Sequence, residues 1–194
     1  SKADALVVLN DWGVTAPLVQ MKKNQGRPTF AWVEGVQDFH DVDTGRKRHP
    51  YSSVDYVFCL GNFDSEAINR AQSIIVGSER LVRLWNQEPS SSVSDRLLIN
   101  LNFTYGVAAA NRYEWLQSVQ RAASETSWKL EISQHVADKG FIVPWLRSSK
   151  NSSSSLEVAP LFVTRFSTLG YEALVRGVPM IYHNPHGERV RTFA

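Results

Sequence analysis

The sequence predicts two α/β lobes, each built on a doubly wound parallel sheet, and three observations predict it. Short apolar runs recur along the chain, at Ala5 to Leu9, Thr29 to Val33, Val54 to Leu60, Arg96 to Leu101, Lys129 to Ser133, Ala159 to Val163 and Val178 to Tyr182. Continuous apolar character of that length marks strands buried on both faces, as in parallel sheets. Segments with helical spacing or helix stop signals separate these runs. Most runs also end in a polar turn, the pattern found at the carboxyl ends of parallel strands.

In chain order, Ala5 to Leu9 ends in Asn10-Asp11-Trp12-Gly13, and a helix is expected from Ala16 to Asn24, closed by Gly26. Pro28 leads into the strand Thr29 to Val33, which completes one βαβ unit and stops at Glu34-Gly35. The polar stretch Gln37 to Ser53 reads as a long loop, a kind that is usually functional. After the strand Val54 to Leu60, a helix is expected from Ser65 to about Gln72, a short strand at Ile74 to Val76, and a helical stretch from Glu79 to Trp85. The serine-rich segment 89–95 reads as a linker, so the lobes are expected at 1–88 and 96–194.

The second lobe opens with Arg96 to Leu101, running into Asn102-Phe103-Thr104-Tyr105-Gly106. Asn111 to Thr126 has the clearest helical spacing, with Trp115, Val119 and Ala122 or Ala123 on one face. Lys129 to Ser133 leads to Gln134-His135-Val136-Ala137-Asp138-Lys139-Gly140, and the serine run 151–155 is expected to be an exposed, mobile loop.

Composition narrows the classes of function. The 194 residues are 43% hydrophobic, which is enough for a proper core. A net charge of +2 argues against nucleic acid, since Arg46-Lys47-Arg48-His49 follows an acidic segment and reads as a solvated loop. No apolar run reaches the roughly 18 residues a membrane span requires. The expectation is a cytosolic protein, with any membrane association peripheral, at the inner face. The single cysteine, Cys59, lies in an apolar run and reads as a core residue. His183 and His186 are separated by Pro185 with no third ligand nearby, so no metal site is expected.

The most informative stretch is the last: an apolar strand delivers Arg165, Ser167 and Thr168 to the start of a short helix, which Gly177 closes and Pro179 keeps from continuing. Unpaired backbone N–H groups and the positive dipole end make such a start suited to an anion, and phosphate is the natural candidate. The plain alternative is Ser167 as an ordinary N-cap, with Glu172 paired to Arg176 on a solvated face.

Strand, Ser-Thr turn, Glu-bearing helix, Gly-Val-Pro and second strand together resemble the nucleotide-binding half of GT-B glycosyltransferases, enzymes of two Rossmann-like domains that use nucleotide-activated sugars. The resemblance covers most of the chain, with its specific part at Phe162 to Glu188. It implies that Ser167 and Thr168 lie near the donor diphosphate and that Glu172 or Glu188 holds the ribose hydroxyls. Asn102, Thr104 and Gly106 close the first strand of the second lobe, where the family brings backbone and hydroxyl groups to the donor phosphate. His135 with Asp138 is similar to a His-Pro-x-Asp stretch of polysaccharide-building members, although Val136 replaces the proline. Arg165 would offset leaving-group charge in place of a metal.

The implied reaction moves a sugar from a nucleotide-sugar donor to a carbohydrate or other hydroxyl acceptor, as in bacterial surface polysaccharide synthesis, with the donor as co-substrate and no further cofactor. An inverting version needs a general base from the first lobe, where Glu34, and after it Asp11, end strands. The chain starts without methionine and stops at Ala194 ahead of the family's final helices, so it reads as a fragment of a longer protein. Two other readings stand beside transfer. One is a nucleotide-sugar 2-epimerase, which shares this architecture; the other is a non-enzymatic ligand-binding module.

Overall fold

The computed structural model describes residues 3–33, 46, 48–88, 90, 92–103, 109–142, 146–149, 151–165 and 167–187. Two compact α/β units emerge, the first ending at Ser78 and the second beginning at Glu79, ahead of the serine-rich segment where the sequence places the boundary. Among the described residues no helix is long and apolar enough to cross a membrane.

The first unit is a four-stranded parallel sheet in the order β1 (Leu6–Val8), β2 (Thr29–Trp32), β3 (Tyr56–Cys59), β4 (Gln72–Ile75). Helix α1 (Ala16–Asn24) joins β1 to β2, and α2 (Asn62–Ala67) follows β3. The register pairs Val8 with Ala31 and Ala31 with Val57, and these side chains, with Cys59, Val33 and Val19 of α1, form one buried cluster. The other face carries a row of stacked aromatics: Phe30 lies 5.1 Å from Tyr56 and 5.5 Å from Phe58.

Two elements differ from expectation here. The helix after β3 starts and ends earlier than Ser65 to Gln72, because Gly61 is extended and the chain enters the helix at Asn62. Gln72 instead belongs to β4, where its register partner is Tyr56.

The second unit begins with α3 (Glu79–Trp85) and holds five parallel strands in the order β7 (Arg147–Ser148), β6 (Lys129–Gln134), β5 (Arg96–Leu101), β8 (Phe162–Thr164), β9 (Met180–Tyr182). Helix α4 (Arg112–Ser124) joins β5 to β6, α5 (Ser152–Glu157) precedes β8, and α6 (Leu169–Val175) joins β8 to β9. Strand alternation splits the core in two. Ile99 and Leu101 pack with Trp115, Leu116 and Val119 of α4, whereas Leu98 packs with Leu156 of α5 and Ala173 of α6.

The serine run expected to be a mobile loop is helix α5. Asn151 caps it, its side chain accepting from the Ser153 and Ser154 N–H groups, and Leu156 anchors it, fully buried. Its hydroxyls bond outward, Ser155 to Glu131 and Ser152 to Ser133, so they do not compete with the helix backbone.

Candidate functional site

Strand order reverses at β5, which has β6 on one side and β8 on the other. In an open parallel sheet such a reversal leaves a crevice outside the carboxyl ends of the two strands, because their following connections leave on opposite faces. Asn102 and Phe103 come from β5 at this point, and Arg165, Ser167 and Thr168 come from β8. The topology thus gathers Asn102, Arg165, Ser167 and Thr168 at one end of the sheet.

Arg165 is fully buried and tied to the end of β5. Its Nη1 donates to the Asn102 carbonyl at 3.0 Å, and its guanidinium sits 4.5 Å above the Phe103 ring. Phe103 in turn meets Trp115 edge-on at 5.9 Å. A cation held this way has been desolvated and oriented by folding itself. Ser167 Oγ accepts from the Leu169 N–H at 3.3 Å, a local turn contact just ahead of Thr168, the N-cap residue of α6.

One turn below the edge, register aligns Ser133, Asn100 and Thr164 across β6, β5 and β8. All three are buried, and Asn100 bridges them: its amide nitrogen approaches the Ser133 carbonyl at 3.4 Å and its oxygen faces the Thr164 hydroxyl at 3.4 Å. The sequence reading passed over this row. Its signal was Asn100, an amide inside the otherwise apolar Leu97-Leu98-Ile99-Asn100-Leu101.

Glu172 is 5% exposed and does not pair with Arg176 on a solvated face, as the plain alternative had it. Its Oε1 lies 2.9 Å from Arg80 Nη2 of α3, and its Oε2 accepts from the Ser153 hydroxyl at 3.1 Å. Arg176 reaches Glu157 instead, at 3.7 Å. The reason is geometric: α6 turns residue 172 toward α3 and α5, leaving the exposed side to Leu174.

Asp138 is a structural hub. Its carboxylate receives Arg112 Nε at 3.0 Å and the Gly140 N–H at 2.9 Å, with a longer contact from the Phe103 N–H at 3.4 Å. A Cβ at Gly140 would stand 2.2 Å from Arg112 Nε, so a larger residue there would push the guanidinium off Asp138. His135 is exposed, and its Nδ1 accepts from the Ala137 N–H at 3.1 Å. In the first unit, Asp11 is 5% exposed and its two oxygens accept from the Tyr51 and Ser53 N–H groups, holding the turn ahead of β3. Glu34, Thr104, Gly106 and Glu188 lie outside the described residues.

His183, at the end of β9, was not among the predicted site residues. Its ring lies 5.4 Å from Trp115, its carbonyl accepts from Trp115 Nε1 at 2.8 Å, and its Nε2 meets the Ser118 hydroxyl at 2.6 Å. The Ser118 hydroxyl also lies 2.7 Å from the Trp115 carbonyl, so His183 donates from Nε2 whenever the Ser118 proton is turned to that carbonyl. Burial, and after it the neighbouring His186, hold this imidazole below its ordinary pKa. A depressed histidine pKa means the unfolded chain binds the proton more readily. Stability is therefore fully present above the unfolded value of about 6.5 and is lost as pH falls through it. The expected result is a thermal midpoint that drops between pH 7 and pH 5, with part of that drop absent in His183→Gln. An equal slope in the variant would remove His183 as its source.

A groove of about 660 Å³ opens at the other end of the same sheet, by the amino ends of β8 and β9, lined by Trp85, Val93, Glu157, Leu174 and Arg176 among others. None of the residues gathered at the carboxyl edge lines it. Among the described residues, no three His, Cys, Asp or Glu side chains cluster closely enough to hold a metal ion.

Two parallel-sheet α/β units, with a switch-point crevice in the second, make this a protein of the GT-B fold. Solved structures bear this out. The chain is similar to the UDP-GlcNAc 2-epimerase of Methanocaldococcus jannaschii, solved in complex with UDP-GlcNAc and UDP, at 16% identity and a TM-score of 0.64 over 97% of this chain and 62% of that one. It is similar to the UDP-N-acetylglucosamine 2-epimerase of Rickettsia bellii at 17% identity and a TM-score of 0.61, over 97% of this chain and 58% of that one. The glycotransferase of kitacinnamycin matches at 14% identity and a TM-score of 0.52, over 98% of this chain and 60% of that one. The chain thus spans about three fifths of the length of these structures. No protein-family model and no curated protein matches the sequence.

Proposed function

We propose that the protein acts on a nucleotide-sugar, with the nucleotide seated in the crevice between β5 and β8. The observation that carries this reading is Arg165, a fully buried cation at the carboxyl end of β8, beside the start of α6. A diphosphate would meet there a positive charge already stripped of water, and would need no metal for its charge. Glu172 is the candidate for the ribose hydroxyls, and Glu188 the alternative.

In the transfer reading, a base in the first unit takes the proton of a carbohydrate or other hydroxyl acceptor. That oxygen attacks the anomeric carbon, and the nucleoside diphosphate leaves toward Arg165. Asp11 already serves two backbone N–H groups, which favours Glu34 as the base. A bacterial surface polysaccharide would be a fitting acceptor, and a cytosolic enzyme, at most peripheral at the inner membrane face, would have the donor at hand. The second reading is epimerisation of the donor at C2 with no acceptor, since the similar structures include UDP-GlcNAc 2-epimerases as well as a glycotransferase.

Incubation with UDP-sugars, with and without acceptor glycans, separates the readings. Acceptor-dependent release of UDP supports transfer, and an isomerised donor supports epimerisation. Thermal protection by nucleotide without turnover reduces the protein to a binding module. If no nucleotide raises the thermal midpoint, the nucleotide-sugar reading fails.

A further inference from the structure

The groove at the amino ends of β8 and β9 holds chemistry that the carboxyl-edge crevice does not use. Its volume of about 660 Å³ is that of a small-molecule site, and such sites combine apolar walls with a few polar groups. Trp85 at the end of α3, Val93 and Leu174 of α6 supply apolar walls. All three are more than half exposed, Trp85 at 71%. Large apolar side chains held open to water around one hollow mark a surface that a ligand covers.

The polar lining narrows the class of ligand. Arg176 caps the carboxyl end of α6 and lines the groove with only 11% of its side chain exposed. Among the described residues nothing accepts from its buried Nε. The carboxylate facing it, Glu157 Oε2, stands 3.7 Å from Nη1, too far for a hydrogen bond. A guanidinium this buried and this poorly answered retains capacity for a carboxylate, the group its planar fork fits. Glu157 also lines the groove with 43% of its side chain exposed, and Glu88 adds a second acid.

A purely anionic ligand would meet the two acids, and a purely cationic one would meet Arg176. A zwitterion answers both signs: its carboxylate faces Arg176, its ammonium faces Glu157, and an apolar side chain lies against Trp85 and Leu174. Because Arg176 and Glu157 approach within 3.7 Å, they suit charges borne on adjoining carbons, as in a free amino acid, and not the separated ends of a peptide.

We propose that this groove is a binding site for a free α-amino acid with a large apolar side chain. The site is separate from the crevice between β5 and β8 and does not depend on what the crevice binds.

The test is calorimetric titration of the full chain with L-phenylalanine and L-leucine, and with three analogues that each lack one feature. 3-Phenylpropanoate has no ammonium, 2-phenylethylamine has no carboxylate, and glycine has no apolar body. At least one of the two amino acids is expected to bind with a dissociation constant of about 1 mM or below, within reach of so small a ligand. Each analogue should bind about tenfold more weakly or worse. Trp85→Ala and Glu157→Gln should each weaken amino-acid binding by about fivefold or more. Both change exposed side chains, so folding should survive, and an unchanged thermal midpoint without ligand checks this.

A wild type that binds neither amino acid at about 10 mM overturns the proposal. So does binding that Trp85→Ala and Glu157→Gln both leave intact, since the ligand then sits elsewhere. 3-Phenylpropanoate binding as tightly as L-phenylalanine overturns recognition of a zwitterion. None of these outcomes touches the nucleotide-sugar reading.

Discussion

Trp115→Ala is expected to destabilise the second unit by about 4–6 kcal/mol, enough to leave it marginally folded at 37 °C. Trp115 is fully buried and sits where three elements meet. It packs against Ile99 and Leu101 of β5, takes the edge of Phe103 at 5.9 Å, and donates from Nε1 to the His183 carbonyl at 2.8 Å. Truncation loses the transfer free energy of an indole and leaves a cavity that the short strands cannot close, together roughly 3–5 kcal/mol. The orphaned His183 carbonyl adds about 1 kcal/mol. Urea unfolding followed by far-UV circular dichroism measures this directly. A loss below about 2 kcal/mol would mean that the site around residue 115 collapses on itself, and that Trp115 does not organise this end of the sheet. Trp115→Phe should recover most of the packing term and none of the hydrogen bond.

That side chain also shows why much of the fold was legible. Trp115 and Val119 recur at helical spacing, and a helix over Arg112–Ser124 places both against β5. Buried parallel strands announce themselves as apolar runs, so Arg96–Leu101 lies where the sequence predicts it. Serines misled the reading of 151–155 because an isolated Ser-rich segment prefers turns, its hydroxyls competing for local backbone groups. Ser155, Ser152 and Ser153 find partners in Glu131, Ser133 and Glu172 instead, and none of those pairings is visible in local sequence.

The same limit governs the site. That Asp11 ends a strand could be read from its neighbours, but its engagement by Tyr51 and Ser53 spans about 40 residues, beyond any local pattern. Asp138 likewise looked like a ligand-facing acid beside His135, whereas Arg112 and Gly140 claim its carboxylate. Polar residues after strands mark the carboxyl edge of a parallel sheet; which of them is spent on holding the loop depends on contacts made only once the chain has folded. Arg165 could be recognised because its place follows from the strand itself: one residue past the buried Phe162–Thr164, it has to emerge at the carboxyl edge.

On the proposed nucleotide-sugar reading, Arg165→Met is the substitution expected to weaken nucleotide binding most, by at least about 100-fold in UDP affinity. A buried cation facing an incoming diphosphate contributes more than a surface one, since its desolvation was completed on folding and its orientation is fixed by Asn102 and Phe103. Two charge-assisted contacts at about 1.5–3 kcal/mol each account for the size of the loss. Methionine keeps an unbranched side chain over the Phe103 ring but removes the charge together with the hydrogen bond to the Asn102 carbonyl, so the thermal midpoint of the variant is measured first. Arg165→Lys keeps the charge but not the planar fork, so its affinity should fall between the two. Calorimetric titration of UDP into each variant reads the effect. An affinity within about threefold of wild type in a folded Arg165→Met protein would remove the crevice between β5 and β8 as the diphosphate site, because no other described residue brings a buried positive charge to that point.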